Sequence, residues 1–339
     1  MSFDDWNNLL TVNKLISKIV LTKELWRPFV FEKSFGADSA VPSPRVCHSA
    51  VVYNKKMYIY GGHNPDPGSN YISNLKDDLY TYDFDSNEWC AITVPNALSR
   101  TEHSAVIHKN EMFVFGGYSG TGAYQNKIIA LNLDDPQAWV TVSVAGPIPT
   151  ARSAHSACLY KGKIYVFGGW DGRTSNNDFY KFNIEKLKWS KVNAKGDIPE
   201  ARRSHGCTVH GTSMYIFGGY NGIQNLPPDL FQFNFETKEW SVVKAKGEPP
   251  CGRSRLRIIQ YYNNLAVFGG WDRVTHFPDW HRFDLETNTW TTTVLDMPLG
   301  GAGQHSTVLY NGSCYIFGGY YEKEKTSVSV LWGYFLGKY

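Results

Sequence analysis

No cysteine motif organises this sequence. Its six cysteines (Cys47, Cys90, Cys158, Cys207, Cys251, Cys314) form no CxxC and no CxH cluster, which removes the zinc-ribbon and thioredoxin-like redox classes. No apolar run approaches the ~18 residues of a membrane span, so no membrane insertion is expected. Charge is scarce too: Asp, Glu, Lys and Arg make up 19% of 339 residues, and 34 basic against 31 acidic side chains leave a net +3. That balance marks neither nucleic acid nor an anionic membrane as the partner, so any basic function has to be local. Asp4 and Asp5 stand where a secretory leader would be basic, and the expected compartment is the reducing cytoplasm. The sequon Asn311-Gly312-Ser313 falls in a predicted tight turn and does not change that reading.

What the chain has instead is 31 Gly together with 11 Trp, 21 Tyr and 19 Phe. A Gly-rich, aromatic-rich and charge-poor chain reads as short strands joined by turns, an all-β fold. The glycines are periodic. Gly-Gly doublets begin at Gly61, Gly116, Gly168, Gly218, Gly269 and Gly318, at intervals of 55, 52, 50, 51 and 49 residues. Thirteen residues before each stand His48, His103, His155, His205, Leu256 and His305; sixteen before stand Arg45, Arg100, Arg152, Arg202, Arg253 and Ala302. Trp89, Trp139, Trp189, Trp240 and Trp290 follow the first five doublets by 21 to 28 residues.

An R-x-x-H-[SG] start, an apolar strand ending in Gly-Gly, an aromatic and then a Trp resemble the kelch repeat, over roughly residues 22 to 339. Six copies at this period imply a six-bladed β-propeller with four-stranded antiparallel blades. In the third copy the strands read as Ser156 to Tyr160 (a), Lys163 to Phe167 (b), Phe179 to Asn183 (c) and Lys188 to Val192 (d), with Lys161-Gly162 as a two-residue hairpin turn. The sixth copy lacks a strand d after Val330 to Leu336. The segment Leu25-Trp26-Arg27-Pro28-Phe29, followed by Gly36, Pro44 and Arg45, parallels Lys188-Trp189-Ser190 with its Gly196, Pro199 and Arg202. A strand from within 22–43 is therefore expected to close blade six. Residues 1–21 form an extension; apolar spacing over 6–21 predicts a short helix, with a strand as the alternative.

In this topology the d-a and b-c loops share one face, and variable loops on a rigid scaffold are the usual place for recognition. Two constellations belong to that face. Arg45, Arg100, Arg152, Arg202 and Arg253 would present guanidinium forks to acidic groups, as arginines at similar spacing do in the kelch substrate adaptors of ubiquitin ligases; the competing role is bonding to loop carbonyls. The residues after the doublets, His63, Tyr118, Trp170, Tyr220, Trp271 and Tyr320, would form a stacking surface for a partner, or else cover the adjacent loops. Asp171 and Asn221 are read as turn residues. The histidine series, one per blade and each beside a small or hydroxyl residue, reads as scaffold. In the group His276, Asp279 and His281, Asp279 aligns with Asp178 and Asp229 as a strand-start residue, which leaves no third clear ligand, so no metal or other cofactor is expected.

Propellers host enzymes as well as binding modules. The Glu-x-x-x-Asp-x-x-x-His iron motif of the kelch specifier proteins has no full match here, and no Tyr/Cys/His copper-radical cluster can be assembled. Cys47 to Tyr53 and Ser73 to Leu79 look like the kelch region of the leucine-zipper-like regulators, with the Rab-effector kelch proteins a comparable match. The resemblance implies a non-catalytic protein-interaction module, not an enzyme, working as an adaptor or small-GTPase effector on an acidic partner. A metal-dependent small-molecule enzyme and an actin-binding protein are the alternatives.

Overall fold

The computed structural model describes residues 29–32, 39–65, 74–120, 122–294, 300–321, 323–324 and 326–335. Among these every regular element is a strand. Blade one runs Ser49–Tyr53, Lys56–Tyr60, Leu79–Asp83 and Glu88–Ile92; blade two Ser104–His108, Glu111–Phe115, Ile128–Asn132 and Val140–Thr141. Blade three is Ser156–Tyr160, Lys163–Phe167, Phe179–Asn183 and Lys188–Lys191, and blade four Gly206–His210, Ser213–Phe217, Leu230–Asn234 and Glu239–Val242. Blade five is Arg257–Tyr261, Asn264–Phe268, Asp279–Asp284 and Thr289–Val294. Each is an antiparallel meander of strands a to d, and the a-b turn at Lys161-Gly162 has φ of 45° and 68°, the left-handed pair that a two-residue hairpin needs.

Blade six takes strands a to c from Ser306–Tyr310, Ser313–Phe317 and Leu331–Phe335. Its fourth strand is Phe29–Glu32 from the other end of the chain, antiparallel to Leu331–Phe335 with Phe29 opposite Phe335. Phe29 belongs to both the expected and the described strand; Leu25 to Pro28, and the helix expected over 6–21, lie outside the described residues. Two features had no sequence signal. Lys195–Gly196 adds a parallel strand beside strand d of blade four, and Ala302–Gly303, Tyr320–Tyr321 and Thr326–Ser327 form a three-stranded ribbon beside blade six.

The wedges between blades are filled by the Trp series. Trp139 meets Tyr60 of the preceding blade with ring centroids 4.5 Å apart, Trp189 meets Phe115 at 5.0 Å, and Trp240 meets Phe167 at 5.2 Å. Trp290 lies 5.6 Å from Phe217, and Trp89 lies 4.9 Å from Phe317 of blade six.

Two circles of backbone hydrogen bonds tie the blades together. In the first, the N–H of the second doublet glycine donates to the carbonyl of the next blade's Arg-position residue, from Gly62 to Arg100 (2.7 Å) round to Gly319 to Arg45 (2.9 Å). The first glycine explains why a doublet is required. A Cβ on Gly61 would lie 2.5 Å from the Arg100 carbonyl oxygen, with φ at +66°, so any side chain would break the inter-blade contact. The second circle joins Cys47, Glu102, Ala154, Ser204, Arg255 and Gln304. Each N–H donates to the carbonyl of the member before it at 2.8 to 3.0 Å, and Cys47 donates to Gln304 at 2.9 Å, completing the ring. All six residues sit at φ of 53° to 60°. The ring surrounds the axis on the face where the d-a loops enter strand a. No helix among the described residues is long and apolar enough to cross a membrane.

Candidate functional site

The arginine series is internal. Arg45, Arg100, Arg152, Arg202 and Arg253 are all buried, and each Nη1 donates to the carbonyl of the first doublet glycine of its own blade, at 2.8 to 3.2 Å. That bond is the reason for the sixteen-residue spacing. In blades one, three and five the fork also holds the carboxylate that opens strand c: Asp78 (2.5 and 2.9 Å), Asp178 and Asp279 (2.5 and 2.9 Å). The guanidinium groups are buried inside the blades and do not present forks to solvent, so the expectation that they meet a partner gives way to a scaffold role.

The histidines bond across the blade gaps. Nε2 of His48, His103, His155 and His205 pairs with Oγ of Ser306, Ser49, Ser104 and Ser156 respectively, at 2.7 to 2.8 Å. Burial, with the neighbouring Arg152 adding to it, drives His155 well below the ordinary imidazole value, and burial takes His103 and His205 down to about 3. They are neutral at physiological pH and engaged in the scaffold. Asp279, the carboxylate of the His276/Asp279/His281 group, is held by Arg253 and by His281 Nε2 at 2.8 Å. Among the described residues no group of three His, Cys, Asp or Glu side chains is placed to hold a metal ion.

The residues after the doublets divide. His63 is buried, with Nδ1 2.8 Å from Thr101 Oγ1, and belongs to the core. Tyr118, Trp170, Tyr220, Trp271 and Tyr320 are half-buried on the loop face. Their backbones are pinned there: Trp170 bridges Ser153 and Ser175, Tyr220 bridges Arg203 and Asn225, and Trp271 bridges Ser254 and His276. The loops behind them are Asx turns, in which Asp171, Asn221 and Asp272 each accept two backbone N–H bonds of 2.6 to 2.9 Å, as read for the first two.

On blades three to five these rings interleave with arginines that the repeat pattern does not mark. The Arg203 guanidinium lies 3.9 Å from the Trp170 ring centre and 5.1 Å from that of Tyr220. Arg273 lies 5.6 Å from Tyr220, and Arg255 lies 4.5 Å from Trp271. Tyr124 adds its hydroxyl as acceptor for Trp170 Nε1 at 3.1 Å. Arg273 Nη1 donates to the Ile223 carbonyl at 2.8 Å, linking the loop tips of blades four and five. Those tips, Ile223 and Val274, are 78% and 82% exposed. The result is a stack of flat cations and aromatic rings beside two exposed aliphatic side chains. Stacked guanidinium groups keep their N–H edges free for carboxylates while the rings offer apolar area. The signal in the sequence was local: Arg203 stands where other blades have Val, Thr, Ser or Gly, and Arg255 where they have Cys, Glu, Ala, Ser or Gln.

A family model described as the KLHDC2/KLHL20/DRC7 Kelch-repeats domain matches residues 48–270 and 215–335. The Drosophila melanogaster leucine-zipper-like transcriptional regulator 1 homolog is 30% identical over 299 residues, 82% of this chain and 30% of that protein. Kelch domain-containing protein 3 of Rattus norvegicus is 30% identical over 321 residues, 87% of this chain and 69% of the relative. The Homo sapiens leucine-zipper-like transcriptional regulator 1 is 28% identical over 283 residues, 78% of this chain and 33% of that protein. The chain thus spans about a third of the length of the leucine-zipper-like relatives.

Proposed function

Because this chain belongs to the kelch-repeat family, we propose that it is a non-catalytic protein-interaction module whose loop face on blades three to five takes an acidic, partly apolar segment of a protein partner. The carrying observation is Arg203, whose guanidinium lies against the Trp170 and Tyr220 rings and makes no side-chain hydrogen bond or ion pair among the described residues. A cation held flat between two rings is pre-ordered, so less side-chain entropy is lost when a carboxylate binds. Arg255 and Arg273 extend the same charge, and Ile223 and Val274 supply the desolvated contact that interface centres use. The adaptor and small-GTPase-effector roles implied by the resemblance are finer readings of the same face. So is a cytoplasmic location, which suits six cysteines that are all free thiols.

The test is an array of peptides carrying Asp or Glu next to Leu or Phe, with charge-reversed copies as controls. Wild-type protein should retain the acidic peptides with a strong salt dependence, and Arg203→Ala with Arg273→Gly should lose them while still melting cooperatively. Retention by the double variant removes the face from the reading. Actin cosedimentation that survives the same variant would point to a filament surface instead.

A further inference from the structure

Two cysteines meet across the gap between blades three and four. Cys158 stands two residues after Ser156 and Cys207 two residues after His205, so strand alternation puts both on the facing sides that the Ser156–His205 pair joins. In three other gaps the same two places hold Val and Ala, as Val51 with Ala105, Val106 with Ala157 and Val308 with Ala50, and in none of the other five is either a cysteine. The pair is a departure from the repeat confined to this gap.

A third sulfur completes the group. Met214, on strand b of blade four, lies opposite Val209 and so on the same side of the blade as Cys207. The Cys158 thiol donates to Met214 Sδ at 3.3 Å. Two sulfurs bonded to one metal ion at about 2.3 Å, with roughly 90–120° between the bonds, stand about 3.3–4.0 Å apart, so this separation suits a shared ion. Cys158 and Met214 are buried, and Cys207 packs half-buried against their cluster, which includes Tyr165, Phe167 and Ile216. Hydrogen bonding to Cys207, then burial, push the Cys158 thiol well above its ordinary value, so it keeps its proton until a thiophilic ion replaces it. Thiolate and thioether donors in apolar surroundings select a soft ion over the hard cations that need oxygen ligands.

We propose that Cys158, Cys207 and Met214 form a three-sulfur site for a soft monovalent metal ion of the Cu(I) class. Binding forms two thiolate–metal bonds and one thioether–metal bond; each thiol gives one proton to solvent, and nothing is oxidised or reduced. With a thioether as the third donor, the group is distinct from the three-residue His, Cys, Asp or Glu sets that are absent among the described residues. It shares no residue with the loop-face stack and does not rest on the proposed partner.

The test is anaerobic titration of the reduced full chain with Cu(I) buffered by bicinchoninate, a chromophoric chelator. Wild-type protein should retain one ion per chain, with three sulfurs around it in X-ray absorption. Cys158→Val and Cys207→Ala, which copy Val106 and Ala105 of blade two, should each lose the ion and still melt cooperatively. Met214→Leu should weaken retention by at least roughly tenfold and leave two sulfurs. Cys90→Ser with Cys251→Ser removes the exposed thiols and should leave retention unchanged. In wild-type protein Cu(I) should also slow alkylation of Cys207 by roughly tenfold while Cys90 and Cys251 react as before, a readout that holds even if a variant fails to fold. The site is overturned if wild-type protein yields its copper to the chelator, if Cys158→Val or Cys207→Ala keeps it, or if a three-sulfur shell persists in Met214→Leu.

Discussion

A Cβ placed on Gly206 would lie 2.9 Å from Leu256 Cδ1 and 2.7 Å from Ile258 Cγ2. In four of the other five gaps this position holds a His–Ser bond. Blade five has replaced the imidazole with Leu256, and blade four has replaced the hydroxyl with Gly206, so a polar pair became a packed apolar one. Gly206→Ser alone should then cost about 1–3 kcal/mol through overpacking. On a background of Leu256→His with Ile258→Ala, the same substitution should stabilise, because the new imidazole gains a hydroxyl partner. Urea denaturation of the four combinations measures the coupling; simple additivity would show that the two positions are independent.

The histidine ladder predicts acid sensitivity. His103 and His205 are lowered to about 3 and His63 to about 4, and His48, His155 and His305 fall well below 6.5, with burial the leading cause in all six. The folded pKa lies below the unfolded one, so unfolding takes up protons. Stability is full above about pH 6.5 and falls as the pH drops from there toward the folded values. Each histidine removes up to about 1.4 kcal/mol per pH unit in that window, and six together exceed a typical domain's net stability within about two units. Cooperative unfolding near pH 5 is expected in a melting series from pH 8 to 4. His205→Leu with Ser156→Gly, copying the pair in blades four and five, should make the slope shallower by about one proton.

Arg273 has φ of 88° at the loop position that Gly172 and Gly222 fill, with φ of 95° and 111°, in the two preceding blades. A side chain there strains the backbone by about 1–3 kcal/mol, yet its Nη1 makes only one bond, to the Ile223 carbonyl. Arg273→Gly should leave stability unchanged or raise it by up to about 1 kcal/mol, while acidic-peptide affinity falls roughly tenfold. A marked loss of stability would instead make Arg273 a scaffold residue.

The architecture was readable because six copies of one pattern, each weak alone, recur in register. The role of the arginine series was not. Nothing near Arg152 in the sequence shows that its fork closes on Asp178, 26 residues on, and a buried Arg looks the same in sequence as an exposed one. The aromatic residues after the doublets were readable as surface candidates, but their partners Arg203, Arg255 and Arg273 were hidden. Periodicity directs attention to what repeats, and these arginines lie where the repeat is broken. A closing strand was readable as an element, whereas its register against Leu331–Phe335 leaves no mark in the sequence.

Blade two tests how much the Arg–Asp pair contributes. Lys127 stands just before strand c, where blades one, three and five have Asp78, Asp178 and Asp279. Arg100 reaches only carbonyls, of Gly116 at 2.8 Å and Lys127 at 3.4 Å, and its Nε and Nη2 are buried without a partner. Burial accordingly holds the Arg100 pKa below its ordinary value. The cost of removing this cation from water is already present in the wild-type protein, so a carboxylate brought to it adds mostly attraction. Lys127→Asp should stabilise by about 1–2 kcal/mol, seen as a melting temperature roughly 1–3 °C higher. Lys127→Asn should give less, and the gain should vanish as the pH falls through the new carboxylate's folded pKa. If Lys127→Asp gives no gain at neutral pH, the unpaired donors of Arg100 are already satisfied by solvent, and the pairs in blades one, three and five serve geometry more than stability.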